Sequence, residues 1–253
     1  QLTSMSFAVG GALGLIWVIV TGELGALRKV SWKIYAFGTA GLFGYHFFYF
    51  SALRHAPPAQ AGLIAYLWPL LIVLMSGLLP GERLKLGHIV GGLVGFSGAA
   101  LIVSDGGTRF EAGAGLGYAL ALLCAVTWAS YSVLSRRLGD TPTSSVAVFC
   151  LATAVLSGIA HLALETTIWP TDSNAWFAVL GLGIGPVGLA FFVWDVGVKR
   201  GDIQLLGVAS YAAPLLSTFA LVLAGIAEPT SILLAASVLI TLGAVLAARA
   251  SRS

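Results

Sequence analysis

The chain has 253 residues, of which 58% are hydrophobic and only 9% are charged, and its mean hydropathy is +0.96. This composition excludes a soluble globular protein, because so few charged residues cannot cover a water-facing surface. The formal net charge is +3, but the basic residues are scattered over several loops. A nucleic-acid-binding protein would gather them on one face, so that class is excluded as well.

Nine apolar segments are long enough to cross a bilayer, whose hydrocarbon core needs about 20 residues of helix. Charged residues, prolines or polar residues bound each segment, and alternating strand patterns of the barrel type are absent. The sequence therefore predicts an all-α membrane protein. The segments cover roughly residues 5–22, 34–53, 59–79, 86–103, 115–135, 146–164, 175–196, 204–226 and 231–248.

An internal repeat relates the two halves of the chain. The sequence YLWPLL at 66–71 recurs as YAAPLL at 211–216, an offset of 145 residues, and duplicated helical units are typical of secondary transporters. The repeats cover 1–105 and 113–253, with four segments in the first and five in the second. We therefore expect a parent with ten helices, of which nine are visible here and the first is missing. Five helices per repeat make the two copies inverted across the membrane.

Basic residues are distributed unevenly between the two sides of the membrane. When the loop that contains Lys29 is placed in the cytoplasm, 11 Lys and Arg residues lie inside and 2 lie outside. This bias follows the positive-inside rule and predicts a cytoplasmic C-terminus.

Several aromatic side chains lie far from the membrane interfaces, where Trp and Tyr usually collect. Their O–H and N–H groups need partners in hydrocarbon, so we expect them to face the bundle interior or a wet cavity. Tyr45 and Tyr49 are one turn apart on one helical face, and His46 lies on an adjoining face. The alternative is that these rings only fill the core. The predicted substrate-binding residues are Tyr45, His46, Tyr49, Tyr66, Trp68, Trp128 and Tyr211.

Pro69 and Pro214 occupy equivalent positions in the two repeats, midway along predicted helices. Each removes one main-chain hydrogen bond, and in a membrane the released carbonyl has to face protein or a cavity. The pair predicts a bend and a gating point beside the transport path, and kinks that serve packing alone are the alternative.

The stretch from Gly183 to Gly188 has the spacing of a dinucleotide-binding fingerprint. Because it lies inside an apolar span, a kinked helix is the better interpretation.

Ionisable side chains are rare within the predicted spans. Asp195 precedes Lys199 by four residues near the cytoplasmic end of its helix, and this spacing predicts an interfacial salt bridge. His46 lies among tyrosines that would hydrogen-bond a neutral imidazole. We therefore favour facilitated diffusion, and obligatory proton exchange is the alternative.

The sequence motifs of common membrane enzymes and pumps are missing. The chain contains no HExxH, GxSxG or Walker A pattern, so we expect a protein that is not an enzyme, with no catalytic residue, no cofactor and no metal. Cys124 and Cys150 each lie alone in an apolar helix, which predicts packing residues and neither a disulfide nor a metal site.

Local patterns also point to a known family. They are the GERL loop at 81–84, the helix after it with Gly91, Gly92, Gly98 and Ala99, and the ALRHAP stretch at 52–57. With these patterns the whole chain resembles the drug/metabolite transporter superfamily, in the branch built from two EamA-type five-helix units. The second copy departs from the pattern, because IAEP at 226–229 stands where the loop is expected. The stretches at 45–50 and 66–69 resemble the YddG-like aromatic amino-acid exporters.

The resemblance implies a secondary transporter in a bacterial inner (plasma) membrane. Such a protein exports small amphipathic metabolites, above all aromatic and other neutral amino acids, by alternating access. The expected partners are this substrate and the lipid bilayer, with no nucleic acid, and we expect a monomer. An aromatic, uncharged cavity would also suit lipophilic cations, so a multidrug efflux carrier is the alternative. A non-transporting membrane scaffold or receptor is the alternative of another class.

Single cysteines can test the predicted orientation. A cysteine at Gly107 or Ser173 should react with a membrane-impermeant thiol reagent from outside the cell. One at Ser31 should not react, because alternation of the spans places Ser31 on the basic, cytoplasmic side. The opposite labelling would overturn both the orientation and the inverted arrangement of the repeats.

Overall fold

The computed structural model describes residues 1–104 and 110–252, and within them it contains helices and turns but no strand. The all-α class is therefore confirmed. Part of the junction between the repeats, with Gly107, lies outside the described residues. The helices are α1 (Leu2–Val20), α2 (Leu24–Leu27), α3 (Trp32–His55), α4 (Pro58–Ala65), α5 (Trp68–Ser76), α6 (Leu86–Val103), α7 (Gly115–Arg137), α8 (Ser145–Leu164), α9 (Ser173–Ile184), α10 (Ala190–Arg200), α11 (Ile203–Ala209), α12 (Ala212–Leu223) and α13 (Ser231–Arg252).

Eight helical segments in the described part of the chain are long and apolar enough to cross a membrane. Three of the eight consist of consecutive helices, namely α4 with α5, α9 with α10, and α11 with α12. The one predicted segment that is not among these eight is 34–53. It corresponds to α3, which has 24 residues. Its hydropathy is lowered by Tyr45, His46 and Tyr49, the polar rings that the sequence singles out as a site.

Three spans are interrupted near their middle. Tyr66 and Leu67 separate α4 from α5, and the equivalent turn separates α11 from α12. Pro69 and Pro214 follow these turns inside the next helix. A third interruption is a π-helical turn, Gly185–Leu189, between α9 and α10. The expected bends and the kinked glycine segment are therefore present.

The described chain forms two compact units. Unit 1 consists of Gln1–Phe47 and Leu134–Arg200, and its centre is the packing of α1 against α8. Small residues allow this approach, because a Cβ atom at Gly11 would lie only 2.8 Å from the Leu151 side chain. On another face, Gly10 is as close to the π-helical turn, since its Cβ atom would lie 2.8 Å from Gly188 Cα.

Unit 2 consists of Phe48–Val133 and Gly201–Ser253, and its centre is the packing of α6 against α13. A Cβ atom at Gly91 would lie 2.6 Å from the Gly243 carbonyl oxygen, so the two backbones touch where only glycine fits. Polar contacts join other elements of this unit. Gln204 donates to Glu82 of the GERL loop at 3.2 Å, and the Lys85 ammonium donates to the Ala250 carbonyl at 2.9 Å.

Each unit therefore combines helices from both sequence repeats. The 145-residue offset relates α1 to α8 and α6 to α13, and these are the two central pairs. The repeats are thus defined by the sequence, whereas each packing unit contains both members of one equivalent pair, one from each repeat.

Candidate functional site

Trp68 and Trp128 form an aromatic pair in unit 2. Trp68 is the first residue of α5, immediately after the break in its span. Its ring meets Trp128 of α7 edge to face, with 6.3 Å between ring centroids. Trp128 in turn lies 5.2 Å from the ring of Tyr131. Trp128 is buried, whereas Trp68 is only half-buried. The Trp68 indole is therefore the accessible member of the pair, next to the break between α4 and α5.

Tyr49 and Tyr66 extend this pair into a longer surface. Their phenol groups are close enough to interact electrostatically, and Tyr49 interacts in the same way with Cys124. Cys124 and Trp128 are one turn apart on α7 and therefore share a face. The four aromatic residues Tyr49, Tyr66, Trp68 and Trp128 are called the aromatic face below. The structure thus brings together four of the seven predicted site residues.

Tyr211 is placed differently from its counterpart Tyr66. Its side chain is completely buried, within a cluster that contains Ala99 and Ile240. Its hydroxyl accepts a hydrogen bond of 3.0 Å from the main-chain N–H of Leu70. Tyr211 therefore contacts the α5 backbone, one turn beyond Tyr66, and has no exposed surface for a ligand.

Tyr45 and His46 lie in unit 1, where the imidazole is enclosed by rings. Phe7 packs on His46 at right angles at 4.8 Å, and Phe191 lies 5.9 Å away. Nδ1 of His46 donates to the Leu42 carbonyl at 2.8 Å, so Nε2 is the available acceptor of the neutral ring. Tyr45 lies beside this imidazole at 4.9 Å.

A buried polar cluster lies near the end of α10 in unit 1. Asp195 and Lys199 form an ion pair of 2.9 Å with side-chain exposures of 2% and 7%, which confirms the predicted salt bridge. Thr143 donates to the same carboxylate at 2.7 Å, and Lys199 also donates to the Thr141 carbonyl at 2.9 Å. The pair thus joins α10 to the loop before α8, and it is more deeply buried than an interfacial pair.

A cavity of about 710 Å³ opens in unit 1, with almost wholly apolar walls formed by α1, the π-helical turn and α10. None of the seven predicted site residues lines it. Its wall residue Gly197 is equivalent by the offset to Ala52, which packs against Ala121 of α7 in unit 2. The cavity therefore offers few groups that could recognise a polar substrate.

Several neighbours of the predicted site residues were missed by the sequence. Phe7 and Phe191 enclose His46, and Cys124 lies beside Tyr49, but a lone Phe or Cys in an apolar helix carries no distinguishing signal. Thr143 was missed because its contact with Asp195 spans 52 residues. The offset carried one signal that Tyr66 and Tyr211 are placed differently. A Cβ atom at Gly95 would lie 2.8 Å from the Tyr211 ring, whereas the position equivalent to Gly95 in the second repeat is Ile240.

The model of the EamA-like transporter family matches residues 1–104 and 115–249. The chain belongs to this family. The EamA-like protein is 51% identical over 253 residues to the aromatic amino acid exporter YddG of Ancylobacter novellus, covering 99% of this chain and 88% of that relative. It is 28% identical over 176 residues to the aromatic amino acid exporter YddG of Salmonella typhimurium, covering 67% of this chain and 59% of the relative.

A solved crystal structure has the same fold. It superimposes with a TM-score of 0.95 at 52% sequence identity, covering 99% of this chain and 87% of the other. Together with the apolar helices, the family assignment identifies the EamA-like protein as a multi-pass integral membrane transporter. Both of these relatives are named as exporters.

The ion pair of α10 yields a test of burial. Lys199→Met should leave the Asp195 carboxylate buried without its cation, which costs about 3–5 kcal/mol of stability. The melting temperature in detergent should fall clearly, and adding Asp195→Asn should restore most of the loss. Lys29→Met, at an exposed position, serves as the control. A Lys199→Met protein that melts like the wild type would contradict the buried pair.

Proposed function

We propose that this EamA-like transporter exports aromatic and other neutral amino acids by alternating access. The observation that carries the proposal is the Trp68–Trp128 pair beside the break between α4 and α5. A half-buried indole can stack on an aromatic or aliphatic side chain, and a broken span exposes main-chain polar groups next to it. The identity of 51% to a protein named as an aromatic amino acid exporter supports the same substrate class.

The charge distribution argues against larger anionic substrates. In the spans of unit 2, Lys and Arg occur only in last turns, as Arg54 of α3 and Arg249 and Arg252 of α13. A phosphate group would therefore meet no cation midway through the membrane. Lipophilic cations are the second candidate, because the same indole pair would attract them. Competition by tetraphenylphosphonium against labelled phenylalanine distinguishes the two substrates.

The transporter functions as a monomer in a bacterial inner membrane, with its C-terminus in the cytoplasm. The basic residues support this orientation through the positive-inside bias. Pro69 and Pro214 act as gating points, because each follows a break in a span whose two halves can change their angle.

Substitutions in the aromatic face test the proposed recognition. Trp68→Ala and Tyr49→Ala should each lower the apparent affinity for phenylalanine in proteoliposomes several-fold, because a lost stacking partner costs about 1 kcal/mol. Trp176→Ala is the matched control. Trp176 belongs to another tryptophan pair, with Trp169 in unit 1, in which the ring centroids are 6.3 Å apart. If both variants transport phenylalanine with normal affinity, Trp68 and Tyr49 serve only in packing and the proposed recognition is contradicted.

The same vesicles test energy coupling. The Asp195 carboxylate is occupied by Lys199 and Thr143, and His46 donates to a carbonyl, which supports facilitated diffusion. Phenylalanine should equilibrate across the membrane without a pH gradient, and His46→Ala should change affinity only. Concentrative uptake driven by an imposed pH gradient, and abolished in His46→Ala or Asp195→Asn, would instead establish proton exchange.

A further inference from the structure

The break between α4 and α5 releases two main-chain carbonyl groups from their helical partners. In a continuous helix the Ala65 carbonyl would accept from residue 69 and the Tyr66 carbonyl from residue 70. Pro69 has no N–H to donate. The N–H of Leu70 donates to the Tyr211 hydroxyl instead. Both carbonyls therefore lack their usual donors inside an apolar span, where main-chain groups require partners.

Tyr211 is held firmly in the position that captures the Leu70 amide. Its ring lies against α6, where a Cβ atom at Gly95 would come within 2.8 Å of it, and Phe96 packs on it at 6.0 Å between ring centroids. A buried phenol hydroxyl without a hydrogen-bond partner destabilises a protein. The Tyr211 hydroxyl has a partner, the Leu70 amide of the first repeat. Tyr211 thus keeps the break from closing into a regular turn.

The released carbonyls lie beside groups that attract a cation. They are the last carbonyl groups of α4, and the carbonyls at a helix C-terminus have no acceptor role left within the helix. Trp68 follows Ala65 by three residues and Tyr66 by two, and aromatic faces attract ammonium groups. The spans of unit 2 contain no Asp or Glu, so a substrate ammonium would have to be received by neutral oxygens and π faces.

We propose that the carbonyl groups of Ala65 and Tyr66 receive the α-ammonium group of the substrate, while Trp68 contacts its side chain. This inference rests on the proposed export of amino acids and specifies how that site distinguishes an amino acid from other aromatic compounds. Tyr211 is a positioning residue, since it acts by withholding the Leu70 amide from the Tyr66 carbonyl. Pro69 has the same effect on the Ala65 carbonyl.

The test compares phenylalanine with 3-phenylpropionate, which lacks the ammonium group, as competitors of labelled phenylalanine uptake into proteoliposomes. The wild type should prefer phenylalanine by about tenfold or more, since a charge-assisted hydrogen bond is among the stronger polar contacts. Tyr211→Phe frees the Leu70 amide to rejoin the helix and should reduce that preference to about threefold. Pro69→Ala supplies a donor to the Ala65 carbonyl and should act in the same direction.

Tyr118→Phe is the matched control, because the Tyr118 hydroxyl bonds to Gln60 and the Glu111 backbone, at the start of α7. Its preference should equal that of the wild type. If Tyr211→Phe fails to fold, Pro69→Ala decides alone. An unchanged preference in the folded variants overturns the proposal, as does a wild type that accepts both competitors equally. A wild type that transports no phenylalanine would instead refute the proposed function.

Discussion

Hydrocarbon offers no hydrogen bonds, so every main-chain N–H and C=O group within a span needs a partner inside the protein. Most of this chain meets the requirement with regular helix. The exceptions are the two proline-associated breaks and the π-helical turn at Gly185–Leu189. At these interruptions, main-chain polar groups lie midway along spans that have almost no charged side chains. For a carrier of zwitterionic solutes, this arrangement supplies polar contacts without the desolvation cost of a buried charge.

The two repeats use the same residues for different purposes. Tyr66 and Tyr211 are equivalent in sequence, yet Tyr66 is half-buried at the aromatic face and Tyr211 is fully buried as a hydrogen-bond acceptor. The difference arises because Tyr211 faces Gly95 of α6, which leaves room for a ring. A duplicated unit therefore provides both the surface of the candidate site and the residue that maintains it.

The sequence predicted the helices well because their bounds depend on local hydropathy, and it predicted the breaks because proline acts locally. It also predicted the Asp195–Lys199 pair, whose members are one turn apart. The composition of the two units was not predictable in this way. The close contact of Gly91 with Gly243 joins residues far apart in sequence, and small residues indicate a contact without naming its partner. The capture of the Leu70 amide by Tyr211 was missed for the same reason.

The central claim is that the substrate binds at the aromatic face, next to the break between α4 and α5. Crystals grown with 4-iodophenylalanine would locate the side chain through the anomalous signal of iodine. If the substrate binds at the aromatic face, the iodine peak lies beside the rings of Trp68 and Trp128. A peak in the apolar cavity of unit 1, beside Trp17 and Phe192, would contradict it.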